Sequence, residues 1–221
     1  MFKKNFLLAL ITIFISTLPA FAATGFDYLR SQTLTETNQD YRSLAMLTKT
    51  LSAMGHDVIT LRSRLGGGVL DEKLITRVFS LLATSDSSLA MKIAESQTYD
   101  GSWNNDIYLT GLITYILRET GLETNTAQNG ANYLRNHPND DGGWGNNGTS
   151  GPMDTALAVM ALKKSNYNDN ITQKGLQSLL LHQGGEGGWG NNINTAWACL
   201  ALHEFGTNPD ELKKAVDYLK M

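Results

Sequence analysis

Apolar residues recur along the chain with helical spacing, and two kinds of helix alternate. Residues 175–182 place Leu176, Leu179 and Leu180 on one stripe, and residues 127–134 form a weaker amphipathic stripe. Residues 155–162 and 195–202 are apolar or small on all sides, which is typical of helices that are buried all round. No segment shows the alternation of a strand. The pattern therefore predicts an all-α protein in which half-exposed outer helices alternate with enclosed inner helices.

A glycine-rich loop with a central tryptophan joins an outer helix to an inner one. It recurs three times, and its tryptophans are 41 and 45 residues apart. A recurrence of this length indicates a repeated helix-turn-helix unit too small to bury its own apolar face. The copies lie at residues 100–105, 140–147 and 186–192, with Trp103, Trp144 and Trp189.

The same register extends to both ends of the chain. Weaker repeats are predicted over residues 26–84, clear repeats over 85–207 and a last outer helix over Asp210–Lys220. This gives five helix pairs and one unpaired helix. The additional inner helices are Tyr41–Leu51 and Glu72–Leu82, and the additional outer helices are residues 26–31 and Asp57–Leu65.

Each inner helix is predicted to begin at an Asp or Asn, whose side-chain oxygen accepts hydrogen bonds from free backbone N–H groups. Because all inner helices begin at the same end, these caps would form one polar rim. The predicted caps are Asp40, Asp71, Asp106, Asp154 and Asn194.

The burial pattern favours a particular all-α architecture. Pairs of amphipathic outer and apolar inner helices can close into an α/α toroid, with two concentric layers of helices. An open superhelical array also fits the repeat length, but its inner helices would keep a more polar concave face. We therefore expect one toroid domain over residues 23–221, closed or nearly closed.

The first residues have the layout of a secretory signal peptide. Lys3 and Lys4 precede an apolar run over residues 6–18, and Ala20-Phe21-Ala22 fits a cleavage site. Residues 1–22 are therefore expected to be removed, which gives a secreted or periplasmic protein. No later stretch is apolar for long enough to cross a membrane, so no transmembrane segment is expected in the mature chain.

Net charge and cysteine content limit the possible binding partners and the sources of stability. Loss of Lys3 and Lys4 changes the formal net charge from −3 to −5, which does not favour binding to nucleic acid or an anionic membrane. Cys199 is the single cysteine, so the exported chain has no internal disulfide. Packing has to supply the stability.

The loops resemble a known family. Gln97 and Trp103 in the first loop, and Gln183 and Trp189 in the third, are similar to the glutamine–tryptophan repeats of squalene and oxidosqualene cyclases. More broadly, they resemble the terpene cyclase and protein prenyltransferase α/α toroid superfamily. The middle copy departs from the pattern, because Pro138 stands where the glutamine belongs. In each copy the glycines permit a tight turn, the indole covers it, and the glutamine amide can bond nearby backbone.

The resemblance also allows the family's catalytic residues to be sought. Squalene–hopene cyclases protonate their substrate through an Asp-x-Asp-Asp-Thr-Ala motif. Here Asp154 matches its last aspartate, but Met153 replaces the proton donor, and a thioether cannot protonate an alkene. Ile193 takes the equivalent place in the other copy. Cyclisation by this route is therefore not expected, and a thioester loop with its cysteine is absent from the sequence.

Prenyltransferases bind zinc through Asp, Cys and His. Cys199 and His203 could share a helix face, but Trp197 stands where the aspartate would be. Cys199 also matches Val159 of the previous unit, so we interpret it as a reduced core cysteine. No metal and no cofactor are expected. His137 and His182, at matching outer-helix ends, are expected to be surface residues or partners of the helix dipole.

Acidic residues near the loops leave an enzymatic alternative open. Carboxylates beside aromatic residues also describe glycan-processing or calcium sites, although helix capping explains many of them. The candidate catalytic residues are Asp154, Asp140, Asp141 and Glu186, with Asp100 nearby, and the candidate ligand-binding residues are Met153 and Trp197.

The sequence thus favours an exported, non-catalytic toroid that binds an isoprenoid or lipid-like molecule, or a protein or peptide, at its rim or in a central cavity. The alternative is a diverged terpene cyclase or a carbohydrate-active enzyme that uses the loop acids. Two carboxylates roughly 5–10 Å apart across an open cleft would favour the enzyme.

Overall fold

The computed structural model describes residues 41–53, 55, 57–65, 69–70, 72–206 and 208–220. These residues form ten α-helices and one short 3-10 turn, and none of them belongs to a strand. The all-α class is confirmed. The α-helices are α1 (Tyr41–Ala53), α2 (Ile59–Leu65), α3 (Leu74–Thr84), α4 (Ser87–Ala94), α5 (Ile107–Thr120), α6 (Thr124–Asn136), α7 (Pro152–Lys164), α8 (Asn170–Leu181), α9 (Asn192–Phe205) and α10 (Pro209–Lys220).

The chain divides into two compact units between Ile93 and Ala94. The prediction of one domain over residues 23–221 stays a prediction. The expected signal peptide, the outer helix over residues 26–31 and the caps Asp40 and Asp71 lie outside the described residues. None of the described helices has the length and apolar character required to span a membrane.

In the first unit, α1 packs against α3, and α2 packs against both. A small apolar cluster joins α1 to the segment that leads into α2, through Leu47, Leu51 and Val58. Arg62 of α2 donates one hydrogen bond to the Ser52 hydroxyl of α1 (3.1 Å) and another to the Ala83 carbonyl of α3 (3.3 Å). Of the four helices that the sequence predicts over residues 26–84, the three that fall on described residues are confirmed, each with its bounds within about two residues of the prediction.

In the second unit, α7 packs between α5 and α9, while α6, α8 and α10 pack on α5, α7 and α9 respectively. The predicted alternation of inner and outer helices is therefore observed here. The inner helix α7 is covered on all sides, since residues 156–162 have no exposed surface. Short connections lead from each inner helix to its outer partner, whereas the long tryptophan loops lead from the outer helices to the inner ones.

Two helical glycines allow outer helices to approach the tryptophans. A Cβ on Gly130 of α6 would stand 3.1 Å from the Trp103 ring, and a Cβ on Gly175 of α8 would overlap the Trp144 ring. Ala215, which is fully buried, is the matching small residue of α10. This contact was not predicted from the sequence. A small residue in each outer helix, 26 to 31 positions after a tryptophan, is the signal that identifies it.

The structure predicts that Gly175→Ala destabilises the protein. The new methyl group would meet the Trp144 ring and Cγ1 of Val159 (2.8 Å), neither of which has free space to move into. Overpacking of this kind typically costs about 1–3 kcal/mol. Urea unfolding of the variant would measure the loss.

Gly185→Ala is the matched control, because a Cβ at that exposed loop position meets nothing within 4 Å. Its free energy of unfolding should stay within about 0.5 kcal/mol of the parent value. Equal effects of the two substitutions would contradict the close helix–indole contact.

Candidate functional site

The three tryptophan loops are built by the same backbone contacts. In each loop an inner-helix threonine hydroxyl accepts a hydrogen bond from the tryptophan main-chain N–H. The three indoles are buried, with exposures of 0%, 0% and 2% in chain order. The loop therefore joins an outer helix to the first turn of the next inner helix. The pairs are Trp103–Thr110 (3.1 Å), Trp144–Thr155 (2.9 Å) and Trp189–Thr195 (2.9 Å).

The indole N–H groups of the second and third loops also have backbone partners. Trp144 Nε1 donates to the Leu134 carbonyl and Trp189 Nε1 to the Leu179 carbonyl, each at 2.7 Å. Both acceptors lie in the last turn of the preceding outer helix, where backbone carbonyls lack helical partners. The burial of the tryptophans is therefore matched by satisfied hydrogen bonds.

The two loop glutamines have the backbone role that the sequence predicts. Gln97 Nε2 donates to the carbonyls of Gly101 and Thr126, both at 2.9 Å. Gln183 Nε2 donates to Gly187 (2.8 Å) and Glu211 (2.9 Å). In each case one amide joins its own turn to the first turn of the next outer helix.

The middle loop, which has Pro138 in this place, uses a side-chain network instead. Asn139 donates to the Ser150 hydroxyl (3.0 Å), and Ser150 donates to Asp141 Oδ1 (2.6 Å). Asp141 also accepts the Gly143 N–H (3.0 Å). These hydrogen bonds, that from Ser150 first, lower the pKa of the Asp141 carboxyl.

The acids of the loops therefore differ in their surroundings. Asp100 accepts hydrogen bonds from Thr98 (2.7 Å) and Ser102 (2.9 Å), and these lower its pKa in the same way as at Asp141. Asp140 and Glu186 are exposed on the loop surface. Asp100 and Asp141 thus stabilise their own turns, which is a structural role.

The predicted helix caps are correct at one position and wrong at two. Asp106 caps α5, since its Oδ1 accepts the Leu109 N–H at 2.7 Å. Asn194 lies inside the first turn of α9, and Asn191 is the cap, accepting from Ile193 (3.0 Å) and Asn194 (2.9 Å). The error arises because α9 begins at Asn192, earlier than the apolar run.

Asp154 is likewise not a cap. Helix α7 begins at Pro152, and Gly151 occupies the cap position without a side chain to accept a hydrogen bond. Proline is well suited to this first position because the N–H that it lacks would have no helical partner. Asp154 therefore falls in the first turn of α7, where its carboxylate is free for another role.

A contact between loops brings a second acid close to Asp154. Asn146 of the middle loop donates through Nδ2 to Asp106 Oδ2 (3.3 Å) and accepts the Ile107 N–H through Oδ1 (3.1 Å). The loop before α7 is thereby attached to the N-terminus of α5. The role of Asn146 was not predicted from the sequence. The Asn-Asn pair after each loop tryptophan is the signal that marks this position.

Asp154 has an unusual environment for a carboxylate. The residue is half-buried, and no hydrogen bond or ion pair joins its carboxylate to any other residue that the structure describes. Burial, and then the nearby charge of Asp106, raise its pKa to about 6. A helix N-terminus favours the ionised form of an acid, so these two effects outweigh the dipole.

The other candidate residues differ from Asp154 in their burial or in their structural role. Trp197 is in the core of α9 with 3% exposed, whereas Met153 is half-buried at the start of α7. Cys199 is buried as predicted, and burial raises the pKa of its thiol to about 12. His203, four residues after Cys199 in α9, is exposed, whereas Cys199 is buried. No group of three metal-binding side chains occurs in the described part of the chain.

The two outer-helix histidines are at helix ends, as predicted. His137 Nδ1 lies 2.7 Å from the Tyr133 carbonyl, and His182 Nδ1 lies 2.7 Å from the Ser178 carbonyl. Each imidazole thus bonds a carbonyl in the last turn of its own helix, which is a capping role.

Gln183→Leu is expected to destabilise the protein by about 1–3 kcal/mol, because the carbonyls of Gly187 and Glu211 lose their shared donor. The measurement is the free energy of unfolding in urea. Gln177→Leu, an exposed position of α8, is the control and should change it by less than about 0.5 kcal/mol. Similar values for both variants would contradict the role of Gln183.

Asp154→Asn is expected to stabilise the protein at about pH 8 but not at about pH 4. The folded-state pKa of about 6 lies above the ordinary aspartate pKa of 3.8. The ionised carboxylate therefore lowers the free energy of unfolding, with the full effect above about pH 6. The effect disappears as the pH falls from about 6 toward 3.8, because the carboxyl group of the folded protein becomes protonated. Thermal unfolding across this pH range would measure the difference.

Asp140→Asn, in the exposed part of the middle loop, provides the control for this test. Its stability should differ from the parent by less than about 0.5 kcal/mol at both pH values. A loss of stability in Asp154→Asn at about pH 8 would show that the carboxylate has a stabilising partner.

Comparison with known proteins assigns no family. No protein-family model matches the chain, and no curated protein matches it. The resemblance to the toroid superfamily therefore rests on the residues of the three loops, and the function has to be inferred from the geometry around Asp154.

Proposed function

We propose that the protein is an exported, non-catalytic binding protein with an α/α toroid fold of the terpene cyclase and prenyltransferase type. The alternating packing of α5 to α10 and the repeated glutamine and tryptophan contacts support this architecture. The layout of residues 1–22 supports export.

The residues at the family's catalytic positions support a binding role. Met153 takes the place of the proton donor, and it lies next to Asp154 at the start of α7. Cys199 is enclosed in the core, where burial keeps its thiol protonated. A side chain in this state is a poor metal ligand, since zinc binds the thiolate.

We place the binding site at the N-terminal ends of α5 and α7, around Asp154. The single observation that carries this proposal is a half-buried carboxylate without a partner among the described residues. Such a group lowers the stability of the fold, and residues that do so are often retained for function. A positively charged group would supply the missing counter-charge.

Of the two ligand classes that the sequence leaves open, this site favours a protein or peptide with a basic side chain. An isoprenoid would need an exposed apolar face on the inner helices. Residues 156–162 of α7 offer no such face, because all of them are fully buried. A lysine or arginine of a partner would instead pair with Asp154 and lower its pKa.

A second candidate function is a diverged enzyme with Asp154 as general acid. The observation that favours it is the pKa of about 6, since an effective acid catalyst has a pKa near the working pH. Asp141 and Asp100 are poor candidates for its partner, because their oxygens already hold the turns of their own loops.

The test uses a panel of short peptides that contain lysine or arginine, with acetylated-lysine versions as controls. Binding is followed by calorimetry at about pH 6, where a cation that pairs with Asp154 should release a proton. The expected result is proton-linked binding that Asp154→Asn weakens by roughly tenfold, equivalent to about 1.4 kcal/mol. Asp140→Asn should bind as the parent does.

A panel of isoprenoids and lipids, tested by thermal shift, forms the second arm. Stabilisation by these ligands alone would overturn the basic-partner proposal in favour of an apolar one. Equal binding by the parent and Asp154→Asn would show that the binding site does not lie at the N-terminal ends of α5 and α7. Hydrolysis of a glycan or cyclisation of an isoprenoid, abolished by Asp154→Asn, would establish the enzyme instead.

A further inference from the structure

The chain contains two Asn-Gly pairs, Asn129-Gly130 and Asn147-Gly148. In such a pair the glycine amide nitrogen can attack the side-chain carbonyl carbon of the asparagine. Glycine favours this reaction because it has no side chain to obstruct the approach and permits the necessary backbone rotation. The two pairs have very different surroundings in the fold.

Asn147-Gly148 lies in the exposed 3-10 turn Asn146–Gly148 of the middle loop. Asn147 has a left-handed backbone (φ 59°), and its side chain forms no hydrogen bond with any described residue. A Cβ on Gly148 would meet nothing within 4 Å, so the backbone there has open space around it. The main chain can therefore rotate toward the reactive geometry without displacing packed groups.

Asn129-Gly130 lies in the middle of α6. Gly130 is buried against Trp103 and Thr114, and the Asn129 carbonyl oxygen lies within 2.5 Å of the Cβ position of Gly101. The Gly130 nitrogen would have to leave a helix that packs on α5 before it could react. The fold therefore protects this pair.

We propose that Asn147 is a site of spontaneous deamidation in the folded protein and that Asn129 is not. The Gly148 nitrogen forms a bond to Asn147 Cγ, the Cγ–Nδ2 bond breaks, and ammonia leaves with a proton from the attacking amide. Water then adds to either carbonyl of the resulting succinimide and opens the ring. The product is an aspartate or an isoaspartate at position 147.

Deamidation changes the chain next to Asn146, the residue that bonds the N-terminus of α5. Asn146, the preceding residue, bonds Asp106 and the Ile107 N–H. An isoaspartyl linkage adds a methylene group to the main chain beside this contact. Aspartate and isoaspartate both place a negatively charged carboxylate at position 147, next to the contact. We expect the Ile107 amide to exchange its hydrogen faster after the reaction. This inference does not depend on the proposed function.

The test is incubation of the full chain at mildly alkaline pH, followed by peptide mapping with mass spectrometry. Conversion at Asn147 should exceed conversion at Asn129 by roughly tenfold or more, because local opening of a packed helix costs free energy. In denaturant the two pairs should react at similar rates. Asn147→Gln should abolish the conversion at position 147, because a glutamine side chain would have to close a larger ring.

Two outcomes would overturn the proposal. One is an unchanged Asn147 in the folded protein under conditions in which the denatured chain reacts. The other is equal conversion of Asn129 and Asn147 in the folded protein, which would show that α6 gives no protection.

Discussion

The second unit depends on one repeated interaction, in which a buried tryptophan donates its main-chain N–H to a threonine of the following inner helix. The indole fills the space under the turn, while the hydroxyl fixes where the inner helix begins. Loss of either group would leave a buried polar atom or a large cavity, and both are costly. The repeat therefore preserves a joint between two helices, and the surfaces of those helices can vary around it.

Much of this organisation could be predicted from the sequence because its causes are local. The apolar run at residues 155–162 is typical of a buried helix, and a Gly-Trp segment between two helical patterns is typical of a turn. Gln97 and Gln183 also follow from local chemistry, since an amide near a tight turn has unpaired carbonyls to bond. Tertiary packing agrees with these preferences, so the predictions hold.

The helix starts and the loop contacts could not be predicted, because they depend on the length of each loop. The threonine partner of Trp189 lies six positions after it in the sequence, whereas Thr155 lies eleven positions after Trp144. In the short loop, Asn191 caps the helix that follows it. In the long loop the corresponding Asn146 reaches α5 instead and bonds a backbone N–H there. The first asparagine of the same Gly-Asn-Asn sequence thus bonds the following helix in one loop and the preceding inner helix in the other. In the longer loop, Asp154 lies inside α7 instead of at its cap.

The two ends of α7 show why Asp154 is the candidate site. At the C-terminal end of α7, Lys164 pairs with Glu119 of α5 (3.0 Å) and Glu204 of α9 (3.4 Å). Burial lowers the pKa of Lys164, but the hydrogen bonds and charges of these two acids outweigh it and raise the pKa overall. At the N-terminal end, Asp154 meets the like charge of Asp106. The half-buried charge of Lys164 at the C-terminal end of α7 is therefore paired with acids of the neighbouring helices. The packing of this unit can thus provide a counter-charge. At the other end no such counter-charge lies beside Asp154 among the described residues, and this contrast between the two ends of α7 is why the proposed binding site is centred on Asp154.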